Sequence, residues 1–154
     1  MPRVPVQVTV QGREQFIRLG RRLRDGDEIL RRELRLGIGR IEPRIKAEIK
    51  VSALMKLPHR GGLARIIADV PVHTKWRFTG SSVGMRITAV SRRQIADIDR
   101  GRLRAPLYGN RRHWFTHAVK PGWFSDPTGR AEPKARDAVQ RAMDNTARRI
   151  EGSK

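Results

Sequence analysis

The sequence predicts an α+β fold in which a small antiparallel sheet packs against a long kinked helix and a C-terminal helix. Two observations lead to this prediction. Apolar residues recur every three or four positions over residues 30–49, and they alternate with polar residues over 4–10 and 72–90. The first spacing is typical of one face of an α-helix, and the second is typical of a half-buried strand. Because each apolar face needs a cover, two layers are expected.

The chain begins with a predicted strand and a short predicted helix. Four valines alternate with other residues between positions 4 and 10, and Gly12 ends the pattern. From Arg13 to Arg24 the apolar residues have helical spacing, and the glycine and aspartates at 25–27 interrupt it before the next helix. We therefore assign residues 1–12 to an N-terminal strand or arm.

The long helix is the clearest predicted element. Its apolar positions are separated by four, four, three, four and four residues, which places them on one stripe. They are Leu30, Leu34, Ile38, Ile41, Ile45 and Ile49. Gly37, Gly39 and Pro43 lie inside the helix, so a kink near Arg40 is expected. The helix should end before Pro58, and residues 13–57 are assigned to helices.

The second half of the chain is predicted to hold the sheet, long loops and the last helix. Residues 72–79 and 83–90 alternate on both sides of a Gly-Ser-Ser turn, which is typical of a β-hairpin. Residues 101–112 should be mostly loop, 114–119 a further strand, and 120–132 irregular. A final helix should run over 133–150 from Pro133. With 58–132 as sheet and loops, the 154 residues predict a single domain.

The charge of the chain predicts a negatively charged partner. Lys and Arg number 34 against 15 Asp and Glu, a formal net charge of +19. Residues 1–77 hold 18 basic and 8 acidic residues and the remainder 16 and 7, so the charge is not confined to a tail. Such an excess attracts nucleic acid or an acidic protein surface.

Several classes of function are disfavoured by what the sequence lacks. There is no Cys, which excludes disulfides, thiolate nucleophiles and zinc ribbons. His113 and His117 are four residues apart, but no helical pattern or intervening Glu accompanies them, so no metal or cofactor is expected. No gathered set of titratable groups suggests an enzyme. No apolar run reaches the roughly 20 residues of a membrane span, and no membrane partner or signal peptide is expected.

Two groups of residues are candidates for partner contacts. Large aromatic residues and arginines stand in a Pro/Gly-rich stretch, where they either fold back into the core or anchor a neighbouring subunit. The interface candidates are Arg104, Tyr108, Arg111, Arg112, Trp114, Trp123 and Phe124. Arginines on the helices are candidates for contact with DNA or an acidic partner, against the alternative of a solvated helix face. They are Arg21, Arg22, Arg24, Arg31, Arg32 and Arg35.

The order of several motifs resembles a phage family, the neck or tail-completion proteins of long, non-contractile-tailed phages, especially those of actinobacteria. Residues 57–63 read LPHRGGL, similar to the family's Pro-x-x-Gly-x-Leu entry to its sheet. Residues 101–111 read GRLRAPLYGNR and residues 119–124 read VKPGWF. These resemble its Gly-x-x-Arg-His-Pro-x-x-Gly-Asn-Arg loop and its Pro-Gly-aromatic-Phe segment. Ala105 stands where the family usually has His.

The resemblance implies a non-enzymatic structural subunit of the virion. It implies an α+β subunit in a homo-oligomeric ring of six at the head–tail junction, first present in the host cytoplasm during assembly. Its expected partners are head-completion or adaptor proteins, the tail terminator or tail tube protein, and genomic DNA in the channel. No catalytic residues come with it. The alternatives are a tail terminator that caps the tail tube and a basic nucleic-acid-binding protein.

Overall fold

The computed structural model describes residues 3–10, 26–79 and 82–152; for 3–10, 26–27, 38, 76–79 and 82–84 only the backbone is described. The elements follow in chain order. They are β1 (Arg3–Val10), α1 (Gly26–Lys56), a 3-10 turn (Arg60–Gly62), α2 (Leu63–Ala68), β2 (Val72–Thr79), β3 (Ser82–Val90), α3 (Ile95–Asp99), β4 (Arg102–Leu107), β5 (Asn110–Ala118) and α4 (Ser125–Glu151). The short helix predicted over residues 13–24 lies outside the described residues.

The predicted α+β class is confirmed, with two small antiparallel sheets, a long kinked helix and a C-terminal helix. One sheet has the strand order β1-β3-β2, and the other pairs β4 with β5. The N-terminal strand and the β2–β3 hairpin are therefore found as predicted. Of the predicted strand 114–119, residues 114–118 lie in strand β5, which begins earlier, at Asn110, and belongs to the second sheet and not to the first.

The long helix α1 is found close to its predicted bounds. It runs for 31 residues through Pro43 and ends at Lys56, two residues before Pro58. An interior proline removes one backbone hydrogen bond and crowds the preceding turn, which accounts for the predicted kink. On the predicted stripe, Leu30, Leu34, Ile45 and Ile49 are buried.

Residues 101–112, predicted to be mostly loop, instead contain strand β4 and a tight turn. Pro106 and Gly109 gave the segment the composition of a loop. A proline is tolerated in a strand that has a free edge, because its missing N–H costs no ladder hydrogen bond there. Beyond the predicted 59–62 loop, the structure also has the short helix α2, where Ala64 and Ile67 are buried.

The C-terminal helix begins at Ser125, eight residues before the predicted start at Pro133. Pro127 lies in the first turn, where a proline costs no helical hydrogen bond. Pro133 does lie inside the helix and removes a bond to the Gly129 carbonyl. The helix continues because one apolar face stays buried through the proline, and packing outweighs the local propensity. That face is Ala131, Ala135, Val139 and Ala142.

The chain forms two compact units, and α1, the β2–β3 hairpin and α4 each contribute to both. The first contains residues 1–6, 45–73 and 87–130, and the second contains residues 7–44, 74–86 and 131–154. In the second unit, Leu30 and Leu34 of α1 form a core with Val139 and Ala142 of α4.

The first unit has a core drawn from several short elements as well as the ends of α1 and α4. The buried side chains are mostly aliphatic, with two aromatic rings among them. They include Ile45, Ile49, Ala53, Leu57, Ala64, Ile67, Ile87, Ala89, Ile95, Ile98, Trp123 and Phe124. Both β4 and β5 belong to this unit.

Candidate functional site

The candidate site is the sheet formed by β4 and β5, which we call the ribbon (residues 102–118). Its strands are antiparallel and pair in register from Arg102 opposite Ala118 to Pro106 opposite Trp114. The next pair is Leu107 opposite Asn110, so residues 111–113 have no partner on β4. The ribbon therefore has a regular base and a bulged tip, residues 107–113.

The turn at the tip requires two residues with positive φ. Tyr108 has φ 50° and Gly109 has φ 79°. Tight hairpins use such turns because their twist matches that of the strands, and Asn and Gly normally fill them. This left-handed region is sterically unfavourable for a tyrosine and has a cost in free energy. The Tyr108 side chain is 99% exposed, so among the described residues no packing contact offsets that cost.

One face of the ribbon carries a cation stacked on an aromatic ring. The Arg104 guanidinium carbon lies 5.5 Å from the centroid of the Trp114 ring. The indole Nε1 of Trp114 donates a 2.9 Å hydrogen bond to the Arg111 carbonyl. At an exposed site such a cation–π contact contributes about 0.5–1 kcal/mol. Together the two contacts hold Trp114 in a fixed orientation at the start of the bulge.

The opposite face carries a second aromatic pair. Side chains alternate between the faces of a strand, so Phe115 and His117 share the face that Trp114 does not occupy. Their ring centroids are 5.2 Å apart in an edge-to-face arrangement. Across the strand, Ala105 pairs with Phe115 and Leu103 pairs with His117. Both faces of the ribbon therefore present apolar surface.

The ribbon is unusually exposed for an ordered element. Every residue of β5 is exposed, including Trp114 at 47% and Phe115 at 56%. A two-stranded hairpin with no covering layer is marginally stable in water. Exposed aromatic residues grouped in this way mark interaction surfaces. The ribbon has the properties of an element that a partner covers.

The ribbon also lies in the most one-sided stretch of charge that the structure describes. Residues 100–125 contain six basic residues and no acidic residue. The basic residues are Arg100, Arg102, Arg104, Arg111, Arg112 and Lys120. The exposed residues Arg111 and Arg112 lie in the bulge. This charge favours contact with an anion or an acidic protein surface.

Asp99 anchors the base of the ribbon to the first turn of α4. Its Oδ1 accepts hydrogen bonds from the backbone N–H groups of Phe124 (2.7 Å) and Ser125 (3.2 Å). Its backbone carbonyl accepts a 2.8 Å bond from the Gly122 N–H. Free N–H groups at a helix N-terminus favour a carboxylate, so this buried anion also stabilises the start of α4.

Gly101 and Gly122 allow the chain to close around this anchor. Gly101 has φ 86°, and a Cβ there would lie 2.9 Å from the Val119 carbonyl oxygen. Gly122 has φ 81°, and a Cβ there would meet the Asp126 carboxylate at 2.5 Å. Both positions need glycine for backbone conformation, and Gly101 also needs it for space, because its neighbour is a backbone oxygen and not a side chain that can move.

Lys56, at the end of α1, closes the same region from the other side. Its Nζ donates to the carbonyl oxygens of Pro121 (3.2 Å) and Gly122 (3.0 Å) and contacts the Asp126 carboxylate. We call Lys56, Asp99, Gly101, Gly122 and Asp126 the clamp. Sequence reasoning missed the clamp, because its members become neighbours only after folding.

Trp123 and Phe124 do not lie on the surface with the other interface candidates. Both are 0% exposed, and their rings pack 5.5 Å apart in the core of the first unit. The Trp123 Nε1 also lies 3.4 Å from the Ile95 carbonyl oxygen. A fully buried ring cannot contact a partner, so both residues are withdrawn as interface candidates. Arg104, Tyr108, Arg111, Arg112 and Trp114 are brought together on the ribbon.

The helix arginines form a separate group. Arg31, Arg32 and Arg35 are exposed on α1, whereas Arg21, Arg22 and Arg24 lie outside the described residues. Glu33, which lies between Arg32 and Arg35 in the sequence, is buried and forms a 3.1 Å ion pair with Arg149 of α4. Arg31, Arg32 and Arg35 therefore lie on a different element from the ribbon.

A cavity of about 380 Å³ is lined by His59, Gly62, Arg65 and Ile66, none of which belongs to the ribbon. Within residues 26–79 and 82–152, no three His, Cys, Asp or Glu side chains gather to hold a metal ion. In the same part of the chain, no helix is both long and apolar enough to cross a membrane.

Comparisons with known proteins give no further guide to the site. No protein-family model, curated protein or solved structure matches the chain.

Proposed function

We propose that this chain is a structural virion protein, a neck or tail-completion subunit that forms an oligomeric ring between the head and the tail of a tailed phage. The observation that carries the proposal is the ribbon, an ordered and exposed element that a single chain leaves uncovered. Such an element is expected in a subunit that is completed by its neighbours. The motif resemblance supplies the kind of assembly.

The motifs behind the resemblance have distinct roles in the structure. Gly101 and residues 121–124 build the clamp and the core beneath it, whereas Tyr108, Gly109 and Asn110 form the exposed turn. These motifs therefore include both the base and the turn of the ribbon. This fits a subunit whose ribbon contacts neighbouring proteins. No step of this proposal requires a catalytic group, a metal or a cofactor.

In the proposed ring, the base of the ribbon packs against a neighbouring subunit. Trp114 and Phe115 supply apolar area on its two faces, and Arg104 supplies a charge held against the Trp114 ring. Trp, Tyr and Arg are the residues that dominate interface energies. Because each contact in a ring joins two different surfaces, the ribbon would meet a surface other than another ribbon.

The net charge constrains the partners of such a ring. A ring of six would repeat +19 six times, and this repulsion must be offset. Head-completion or adaptor proteins, the tail terminator or tube protein, and DNA in the channel are the proposed sources of negative charge. An assembled neck without any acidic or nucleic-acid neighbour at the ribbon would contradict this account.

The test is cryo-electron microscopy of the assembled particle. We expect a ring of this subunit at the head–tail junction, with the ribbon buried against a neighbour. A ring placed directly on the tail tube would favour the alternative role as tail terminator. Absence from the particle would reject both, and the remaining alternative, a basic nucleic-acid-binding protein, would then be favoured by the charge of the ribbon.

A further inference from the structure

We propose that the tip of the ribbon, residues 107–113, is an arm that binds double-stranded DNA. This inference goes beyond the proposed neck role and does not depend on it. It assigns the DNA contact to Arg111, Arg112 and Tyr108, and not to the arginines of α1.

The charge of the tip favours a polyanion as its ligand. No acidic residue lies within residues 100–125, so Arg111 and Arg112 have no nearby carboxylate in sequence to neutralise them. A second copy of this chain is a poor occupant of the tip, because it carries the same net charge of +19; in the proposed ring the neighbouring subunit meets the apolar base of the ribbon instead. Several acidic groups of the described residues already pair with a basic residue of the same chain, as in Lys50–Asp69, Arg136–Glu132 and Arg149–Glu33. A regular array of phosphates matches the tip better.

The shape of the tip favours double-stranded DNA. The major groove of B-DNA is about 12 Å wide and admits a two-stranded β-ribbon. Strands in such a ribbon lie about 4.8 Å apart, so the backbone with its side chains can enter the groove. The tip is free on both faces, since residues 107–113 are all exposed. The deep, narrow major groove of duplex RNA would exclude it.

The turn supports an intermolecular role for Tyr108. Its φ of 50° is unfavourable for a tyrosine, and the ring gains no burial within the chain. Strained, exposed side chains are common where a ligand is bound. Beside Arg111 and Arg112, its hydroxyl can donate to a phosphate and its ring can pack on a sugar.

The test uses the full chain and a fluorescein-labelled DNA duplex of about two helical turns, which is long enough for one groove contact. Fluorescence anisotropy gives the affinity over a series of salt concentrations. Each lost phosphate contact reduces the slope of log affinity against log salt by about 0.9, so R111A/R112A should reduce it by about 1.8. At moderate salt the affinity should fall on the order of tenfold or more.

Matched variants separate the tip from charge in general. R32A/R35A also removes two arginine charges, but from α1, and should change the slope by less than half as much. R111K/R112K keeps the charges and should keep the slope, whereas Y108A should weaken binding without changing the slope. All altered side chains are exposed, and circular dichroism checks that each variant is folded.

Four outcomes would overturn the proposal. They are no binding of the duplex, equal losses in R111A/R112A and R32A/R35A, equal binding of single strands, and equally effective competition by polyglutamate. The last result would indicate an acidic protein as the occupant. Because the measurement uses the isolated chain, it tests DNA binding even if the protein is not found at the neck. Conversely, a ring found at the neck would not support DNA binding by the tip if the isolated chain fails to bind the duplex.

Discussion

The Asp99 carboxylate accepts a 2.7 Å hydrogen bond from the backbone N–H of Phe124, 25 residues away in the chain. This bond joins the end of α3 to the segment that enters α4 and sets the base of the ribbon. Since both groups are buried, neither can exchange its partner for water. The stability of the first unit should depend on it.

Asp99→Ala should therefore destabilise the protein by about 2 kcal/mol, because two backbone N–H groups lose a charged acceptor. Asp99→Asn, which keeps one carbonyl oxygen, should lose about half as much. Urea unfolding measures both. Asp97→Ala is the control, since the Asp97–Arg100 ion pair is exposed and contributes little. Equal midpoints for the two alanine variants would show that the Asp99 bonds do not stabilise the fold.

Gly101→Ala should cost about 2 kcal/mol or more, because it combines a positive φ with a close contact to the Val119 carbonyl. Gly109→Ala tests the conformation alone. Its φ is also positive, but a Cβ there meets nothing within 4 Å, so the cost should be about 1 kcal/mol. Thermal unfolding of both variants is the measurement. A smaller loss at Gly101 than at Gly109 would contradict the close approach.

Leu34→Ala should destabilise the second unit by about 2–5 kcal/mol, since a fully buried leucine leaves a cavity between α1 and α4. Leu36 lies two positions away on the same helix and is 51% exposed, so Leu36→Ala should change stability by less than about 0.5 kcal/mol. Chemical denaturation of the two variants checks the packing of α1. Similar losses would mean that the helix is rotated from the described position.

Tyr108→Asn should make the free protein slightly more stable, by up to about 1 kcal/mol, because asparagine tolerates the left-handed conformation. The gain should appear as slower amide hydrogen exchange in residues 114–118. Any partner or DNA binding that uses the tyrosine should weaken in the same variant. Faster exchange together with unchanged binding would count against both the strain and its proposed purpose.

The long elements could be predicted because their signals are local. The Leu/Ile stripe of α1 and the alternation in β2 and β3 repeat over several turns or residue pairs, and the structure follows them. Strand β4 was missed because Pro106 and Gly109 dominate its local composition. It becomes a strand only through pairing with β5, which composition does not reveal.

The candidate site was predicted in part for the same reason. The sequence shows the arginines and aromatic residues as a cluster. Which of them are buried and which are exposed depends on contacts with residues far away in the chain. Trp123 and Phe124 are drawn inward by a backbone that Asp99 and Lys56 fix, and Lys56 is more than 60 residues away. Tyr108 and Trp114 stay outside because β5 has no layer above it.

The positive charge of the ribbon has a consequence for the subunit before it meets any partner. Open strand edges beside exposed aromatic rings are prone to pair with one another and to aggregate. Two ribbons brought edge to edge would oppose Arg102, Arg104, Arg111 and Arg112 of one copy to those of the other. This repulsion opposes edge-to-edge pairing of free copies, and in the proposed assembly an anionic partner would neutralise it.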